Sequence, residues 1–227
     1  MNVASSLQFQ EYIRKQKETI AKVSNWEPSK IKTFPNSWKV EEMPLDKAIE
    51  YHLLDSKGEI KYEWVNLDPQ VPQVELITHS NGNEYLIYHI NLYGISVFNL
   101  NTLTNYDYYP KRSFPFDKED FKESFIWTNS FYHSDSNLIV FFGCFWACPY
   151  TGMIADFTDP MNTTDYKWYD LQNLVDASRD KFLIDDVIGW NGDRLKIRIE
   201  NQNDSSMKEI AYTVEDIKKF IKEQEKE

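Results

Sequence analysis

The stretch from Ser124 to Leu171 constrains the fold more than any other part of the chain. It is the most apolar and aromatic segment, and turn formers cut it at short intervals. Phe125-Ile126-Trp127-Thr128 and Phe131-Tyr132 have the β-branched and aromatic composition that suits a pleated, half-buried surface. His133 to Asn137 is a polar cluster of turn residues. Leu138 to Ala147 is almost wholly apolar, which predicts a central strand covered on both faces, with Trp127, Phe142, Phe145 and Trp146 in the core. Cys148 to Gly152 ends that strand, because Pro149 cannot donate to a ladder and Gly152 permits a tight turn. Met153 to Phe157 and Tyr166 to Asp170 supply two further strands. Four antiparallel strands in chain order, joined by short loops, make a meander.

Weaker copies of this pattern flank it. Val74 to Thr78, Tyr85 to Ile90, Ile95 to Leu100 and Tyr106 to Tyr109 form one, with Ser80-Asn81-Gly82-Asn83 as a strong turn signal. Phe182 to Trp190, Leu195 to Ile199 and Ile210 to Val214 form another, in which a helix over Glu215 to Lys226 replaces the fourth strand and Thr213 supplies its cap. Before the repeats, Ala48 to Leu54 and Glu59 to Val65 read as a hairpin closed at Gly58. Leu7 to Val23 reads as an amphipathic helix capped by Ser5 or Ser6. Asn25 to Pro44 reads as irregular chain held down by Trp26, Phe34 and Trp38. The resulting expectation is a mainly β fold of antiparallel meander, propeller-like repeats with N-terminal and C-terminal helices. Residues 1–45 form the N-terminal helix and wrapping segment. Residues 46–227 form the β-meander domain with its C-terminal helix, in one continuous globular unit.

The second strands of the three copies start near Tyr85, Leu138 and Leu195, and the pattern from Val74 to Val214 resembles β-propeller blades of the WD-repeat-like kind. Ala155-Asp156 and Asn99-Leu100 stand where a blade's closing dipeptide would fall. The resemblance implies ligand binding at the loops that join second to third strands and blade to blade, which here bring forward Tyr93, Phe114, Phe116, Tyr150 and Arg179 as contacts.

Composition narrows the function classes. The formal net charge is −11, against the basic surface that sequence-independent nucleic-acid binding requires, and it suits a basic protein partner or plain solubility. No apolar run approaches the ~20 residues that span a bilayer, and the start of the chain shows no basic-then-apolar signal pattern. Two cysteines in 227 residues imply no disulfide framework, and a cytoplasmic location is the expectation.

Groups capable of chemistry are few. Cys144 and Cys148 share a strand face but stand ~13 Å apart if fully extended, too far for a disulfide or a common metal. They read as reduced structural thiols, with a reactive Cys148 as the alternative. The expectation is no metal and no cofactor. His133 sits in a turn with Asp135 and reads as a local cap; Cys148 and His133 fall at opposite ends of one strand. Asp185-Asp186 interrupts an apolar strand, so alternation sends one carboxylate inward, where it needs a partner such as Arg179, Arg194 or Arg198. Asp156 within Met153 to Phe157 raises the same question. Two inward carboxylates are the minimal equipment of a glycosidase.

Three function classes follow. The first is a non-catalytic binding protein that recognises a protein partner, in one version an immunity-like protein neutralising a basic one. The second is a hydrolase on a sugar or small ester using Asp156, Asp185 or Asp186, with Cys148 as the other nucleophile. The third is a structural module completed by self-association.

Overall fold

The chain folds into antiparallel meanders with helices at both ends. The computed structural model describes residues 2–20, 27–68, 73–115, 119, 121–161, 166–178 and 181–226. Two compact units divide the chain, one of Met1–Thr78 with Gly82–Lys122, the other of His79–Asn81 with Glu123–Glu227.

The first unit opens with helix α1 (Leu7–Thr19), whose first turn is capped by Ser6 Oγ accepting from the Phe9 amide at 3.2 Å. Phe9 is its one fully buried residue and packs edge-on to Phe114 and against Tyr109. Strands β1 (Lys30–Thr33), β2 (Lys39–Leu45), β3 (Ala48–Leu54) and β4 (Ile60–Asn66) then form a four-stranded sheet in chain order. The hairpin expected at β3 and β4 is present, but the stretch read as irregular wrapping chain holds β1 and β2. Pro44 is tolerated inside β2 because it lies past Glu42, the last residue of that strand opposite β1, so no ladder bond on that side is lost. Strands β5 (Val74–Thr78), β6 (Glu84–Ile90), β7 (Gly94–Asn99) and β8 (Thr104–Tyr108) form a second meander, with boundaries within two residues of those read from sequence. Its inner residues Leu86, Tyr88 and Phe98 join Tyr51, Leu53 and Trp64 of the first sheet in one core. Within that core Tyr51 stacks on Trp64 at 4.8 Å and 8° between planes.

The second unit holds β9 (Ile126–His133), β10 (Leu138–Cys144), β11 (Tyr150–Asp156) and β12 (Tyr169–Asp170) in spatial order 12-11-10-9, then β13 (Phe182–Asn191), β14 (Arg194–Asn201) and β15 (Met207–Thr213). The expected central strand β10 is buried along nearly its whole length. It ends at Cys144, three residues earlier than its apolar run, so Trp146 is not a core residue as expected but 57% exposed, while Trp127 is fully buried. Helix α3 (Val214–Gln224) takes the place of a fourth strand. It starts with a reciprocal capping box, in which Thr213 Oγ1 accepts from the Asp216 amide and the Asp216 carboxylate accepts from the Thr213 amide. Helix α2 (Leu171–Ser178) falls between the two sheets and was not expected. Leu171, Leu174 and Val175 of α2 enter the same core as Val140, Ile154, Val187, Ile197 and the α3 residues Ile217 and Phe220. No helix among the described residues is long and apolar enough to cross a membrane.

Candidate functional site

Between β10 and β11 the chain makes a tip whose aromatic side chains are held outward. The Cys148 amide donates to the Phe145 carbonyl at 2.9 Å, which closes the turn, and Ala147 adopts φ 58°. That left-handed conformation costs an L-residue roughly 1–2 kcal/mol. Trp146 is 57% and Tyr150 47% exposed. The Tyr150 ring is stacked on Phe142 at 5.2 Å, and Phe145 meets Phe125 edge-on at 5.5 Å. Trp146 rests on no other ring among the described residues. The tip is thus anchored through Phe142 and Phe125 and presents Trp146, Cys148 and Tyr150 to solvent.

Both thiols are free, Cys144 half-buried and Cys148 exposed. Burial, with the nearby charge of Cys148, pushes the Cys144 thiol up, which keeps it protonated and poorly nucleophilic.

The carboxylates expected to do chemistry are each engaged locally. The ladder between β13 and β14 skips Asp185, pairing Ile184 with Ile199 and Asp186 with Arg198. This bulge defeats strict alternation and turns both carboxylates toward one guanidinium. Arg198 Nε donates to Asp185 Oδ2 at 2.5 Å and Nη2 to Asp186 Oδ2 at 3.1 Å. Neither carboxylate is driven inward; each is about one-third exposed. The hydrogen bond to Asp185, followed by the charges of Asp185, Asp186 and Glu209, holds the Arg198 guanidinium even more firmly protonated. Arg194 lies 4.0 Å from Asp193 instead. Asp156 is exposed at the end of β11, and its Oδ1 accepts from the Thr158 amide and hydroxyl at 2.8 and 2.6 Å, a local turn.

His133 borders an open cleft of about 520 Å³ that is lined by Tyr132, Asp135, Asp193, Val214 and Lys218, among others. Its Nε2 lies 3.0 Å from the Gly192 carbonyl, which only accepts, so the proton sits on Nε2. Nδ1 then accepts from the Ser136 amide and hydroxyl at 3.3 and 2.9 Å. The ring also packs on Trp190 at 4.6 Å. Ser136, not Asp135, is its local partner, and both nitrogens serve to tie the β9–β10 turn to the β13–β14 turn. Cys148 lies beyond the far end of β10, a strand about 20 Å long.

Of the binding contacts expected from sequence, Tyr150 is on the exposed tip, but Tyr93 and Phe114 are 7% and 5% exposed and belong to the packing of the first unit. Tyr93 faces Phe121, and Phe114 meets Phe9, Tyr12 and Tyr109. Phe116 and Arg179 lie outside the described residues. Trp146 was missed as a surface residue because the apolar run continues past the end of its strand. The signal that could have found it is Pro149, which limits how far a hairpin ladder can extend toward the turn.

A further cluster carries no mark in the sequence pattern. Glu50 and His52 alternate onto one face of β3, and the register sets Glu63 of β4 directly opposite His52. One ligating atom from each of Glu50, His52 and Glu63 lies within 4.8 Å of the others.

No protein-family model matches the chain, and no curated protein matches it. Among solved structures it is similar to TolB from Acinetobacter baumannii, with 10% identity and a TM-score of 0.38 over 85% of this chain and 45% of that one. It is also similar to a protein from Lactobacillus plantarum, with 9% identity and a TM-score of 0.38 over 82% of this chain and 55% of that one. The chain spans about half the length of each.

Proposed function

We propose that this is a cytoplasmic, non-catalytic binding protein that engages a protein partner through the β10–β11 tip, using its blade-like meanders as WD-repeat-like propellers use theirs, to present loops. The observation that carries the reading is the pair of large aromatic side chains, Trp146 and Tyr150, exposed on a turn whose backbone includes a left-handed alanine. Exposed Trp and Tyr on a supported scaffold are the residue types that dominate interface energetics. Two-χ aromatic side chains lose little conformational entropy when they dock. The net charge of −11 favours a basic partner, whose Arg or Lys side chains would also find a cation–π face in Trp146. Carboxylates occupied by Arg198 and by Thr158 leave the hydrolase reading without a free acid–base pair among its named residues.

A photo-crosslinking amino acid placed at position 146 in the producing cell tests this. The expected result is a discrete heteromeric adduct, absent when the same group is placed at the exposed loop residue Asn203 and lost when Tyr150→Ala is added. No adduct above the Asn203 control, or an adduct of this chain with itself alone, overturns the reading, and the second result favours self-association.

A further inference from the structure

We propose that Glu50, His52 and Glu63 form a site for a divalent transition-metal ion of the zinc type, on the first sheet and apart from the aromatic tip. His52 Nε2 lies 3.2 Å from Glu63 Oε1 and 3.5 Å from Glu50 Oε1. A charge-assisted hydrogen bond from imidazolium to carboxylate would bring nitrogen and oxygen to about 2.7–2.9 Å. Donors held about 2.0–2.1 Å from one tetrahedral ion stand about 3.3 Å apart, and the two observed edges bracket that separation. The single Nε2 faces two carboxylates, whereas one N–H can serve only one of them well.

Charge supports the same assignment. Among the described residues, neither Glu50 nor Glu63 pairs with a Lys or Arg, unlike Glu59, which pairs with Lys61 at 2.6 Å. Two carboxylates this close repel each other unless a cation lies between them. The imidazole, 13% exposed, and Glu50, 25% exposed, are partly withdrawn from water, which strengthens that repulsion. The register also places Glu41 of β2 opposite His52 on its other side, half-buried and on the same face. Its carboxylate does not join the three converging donor atoms, so a water takes the fourth position. One nitrogen with two carboxylate oxygens is a donor set that accepts zinc and its neighbours rather than a soft ion such as Cu(I). The three residues lie on two adjacent paired strands, so the donors are preorganised by the ladder itself.

The test uses the full-length, tag-free protein carrying Cys144→Ser and Cys148→Ser, which removes the thiols as competing ligands. Zinc is titrated into metal-free protein in a calorimeter at pH 7. The expected result is one saturable equivalent, weakened at least tenfold by His52→Ala and by Glu63→Gln, the size of loss typical for damage to a metal centre. Binding of zinc should also shift the His52 ring nitrogen resonances in the parent protein. If His52→Ala does not fold, Glu63→Gln decides, since it keeps the shape of a side chain that is 55% exposed. Absence of saturable 1:1 binding, or unchanged affinity in the variants that fold, overturns the proposal, as does zinc binding that leaves the His52 ring unaffected.

Discussion

Gly143→Ala should be among the most damaging conservative substitutions in this protein. The residue sits where β10 meets a bulge in β9: Asn129 pairs with Phe142 and Trp127 with Gly143, so Thr128 is the extra residue. A Cβ at Gly143 would stand 2.0 Å from the Ile126 carbonyl oxygen and 2.7 Å from Trp127 Cα, where 3.4 Å or more is ordinary contact. Both obstacles are backbone, so no side-chain rotation relieves them. Strand β9 must retreat by more than an ångström, and it carries the fully buried Trp127, whose ring lies 5.1 Å from Phe141. Overpacking of a tight site costs about 1–3 kcal/mol. Parting the adjacent ladder bonds adds about 1 kcal/mol each. The entropy that Ala removes from the unfolded chain returns about 0.4–1 kcal/mol. The net expectation is a loss of about 3 kcal/mol, read in urea unfolding followed by tryptophan fluorescence as a midpoint lowered by about 1–3 M. Gly58→Ala is the control: its φ is 81° but nothing lies within 4 Å of its Cβ. It should lose only the cost of the left-handed backbone, about 1–2 kcal/mol. A Gly143→Ala protein as stable as wild type, or no worse than Gly58→Ala, would refute this account of the bulge.

Two more outcomes follow from single side chains. The Tyr51 hydroxyl is buried with no hydrogen-bond partner among the described residues, and burial, reinforced by the charge of Glu42, pushes its ionisation far up. Tyr51→Phe keeps the stack on Trp64 and removes a desolvated group whose burial costs about 1–3 kcal/mol, so the urea midpoint should stay or rise; a fall of more than about 1 kcal/mol in stability would show a partner after all. Asp216 has its carboxyl held below the usual range, first by the Thr213 hydroxyl and then by the Thr213 amide. Its folded-state value is lower than its unfolded one, so its contribution is present above the unfolded value of about 3.9 and lost as pH falls through the folded one. Asp216→Asn should therefore melt below wild type at pH 7, with the gap narrowing by pH 3; a gap that is the same at both values contradicts the linkage.

How much of this was legible in the sequence depends on which force sets each feature. Strands β5 to β8 could be read almost to the residue, because alternating apolar and aromatic runs are cut by strong turn formers such as Asn81-Gly82. Strands β1 and β2 could not. Lys30, Ile31, Lys32 and Thr33 offer a single large apolar side chain, and Pro44 argues against a paired strand until the register shows that β1 stops short of it. Helix α2 left a fair signal in Leu171, Leu174 and Val175, preceded by Asp170, whose Oδ1 accepts from the Gln172 amide at 2.9 Å. The strand expected over Tyr166 to Asp170 ends directly against Leu171, which masks the start of the helix.

The sites were less legible because each depends on register. Asp185 and Asp186 point to one guanidinium only because a bulge cancels the alternation between them, and a bulge has no firm sequence mark. Glu50 and Glu63 are thirteen positions apart in the chain, and a one-residue slip of β4 on β3 would move Glu63 to the opposite face from His52. Gly58 lies in the connection that joins the two strands, and Lys61 of β4, the extra residue between the pairs Leu53–Tyr62 and Leu54–Ile60, shifts their pairing once more. The same irregularity that hides the cluster from a sequence pattern also ties its existence to the β3–β4 connection. The 3.2 and 3.5 Å spacings around His52 are therefore a property of a hairpin's register, and they would be altered by changes near Gly58 that touch none of the three residues.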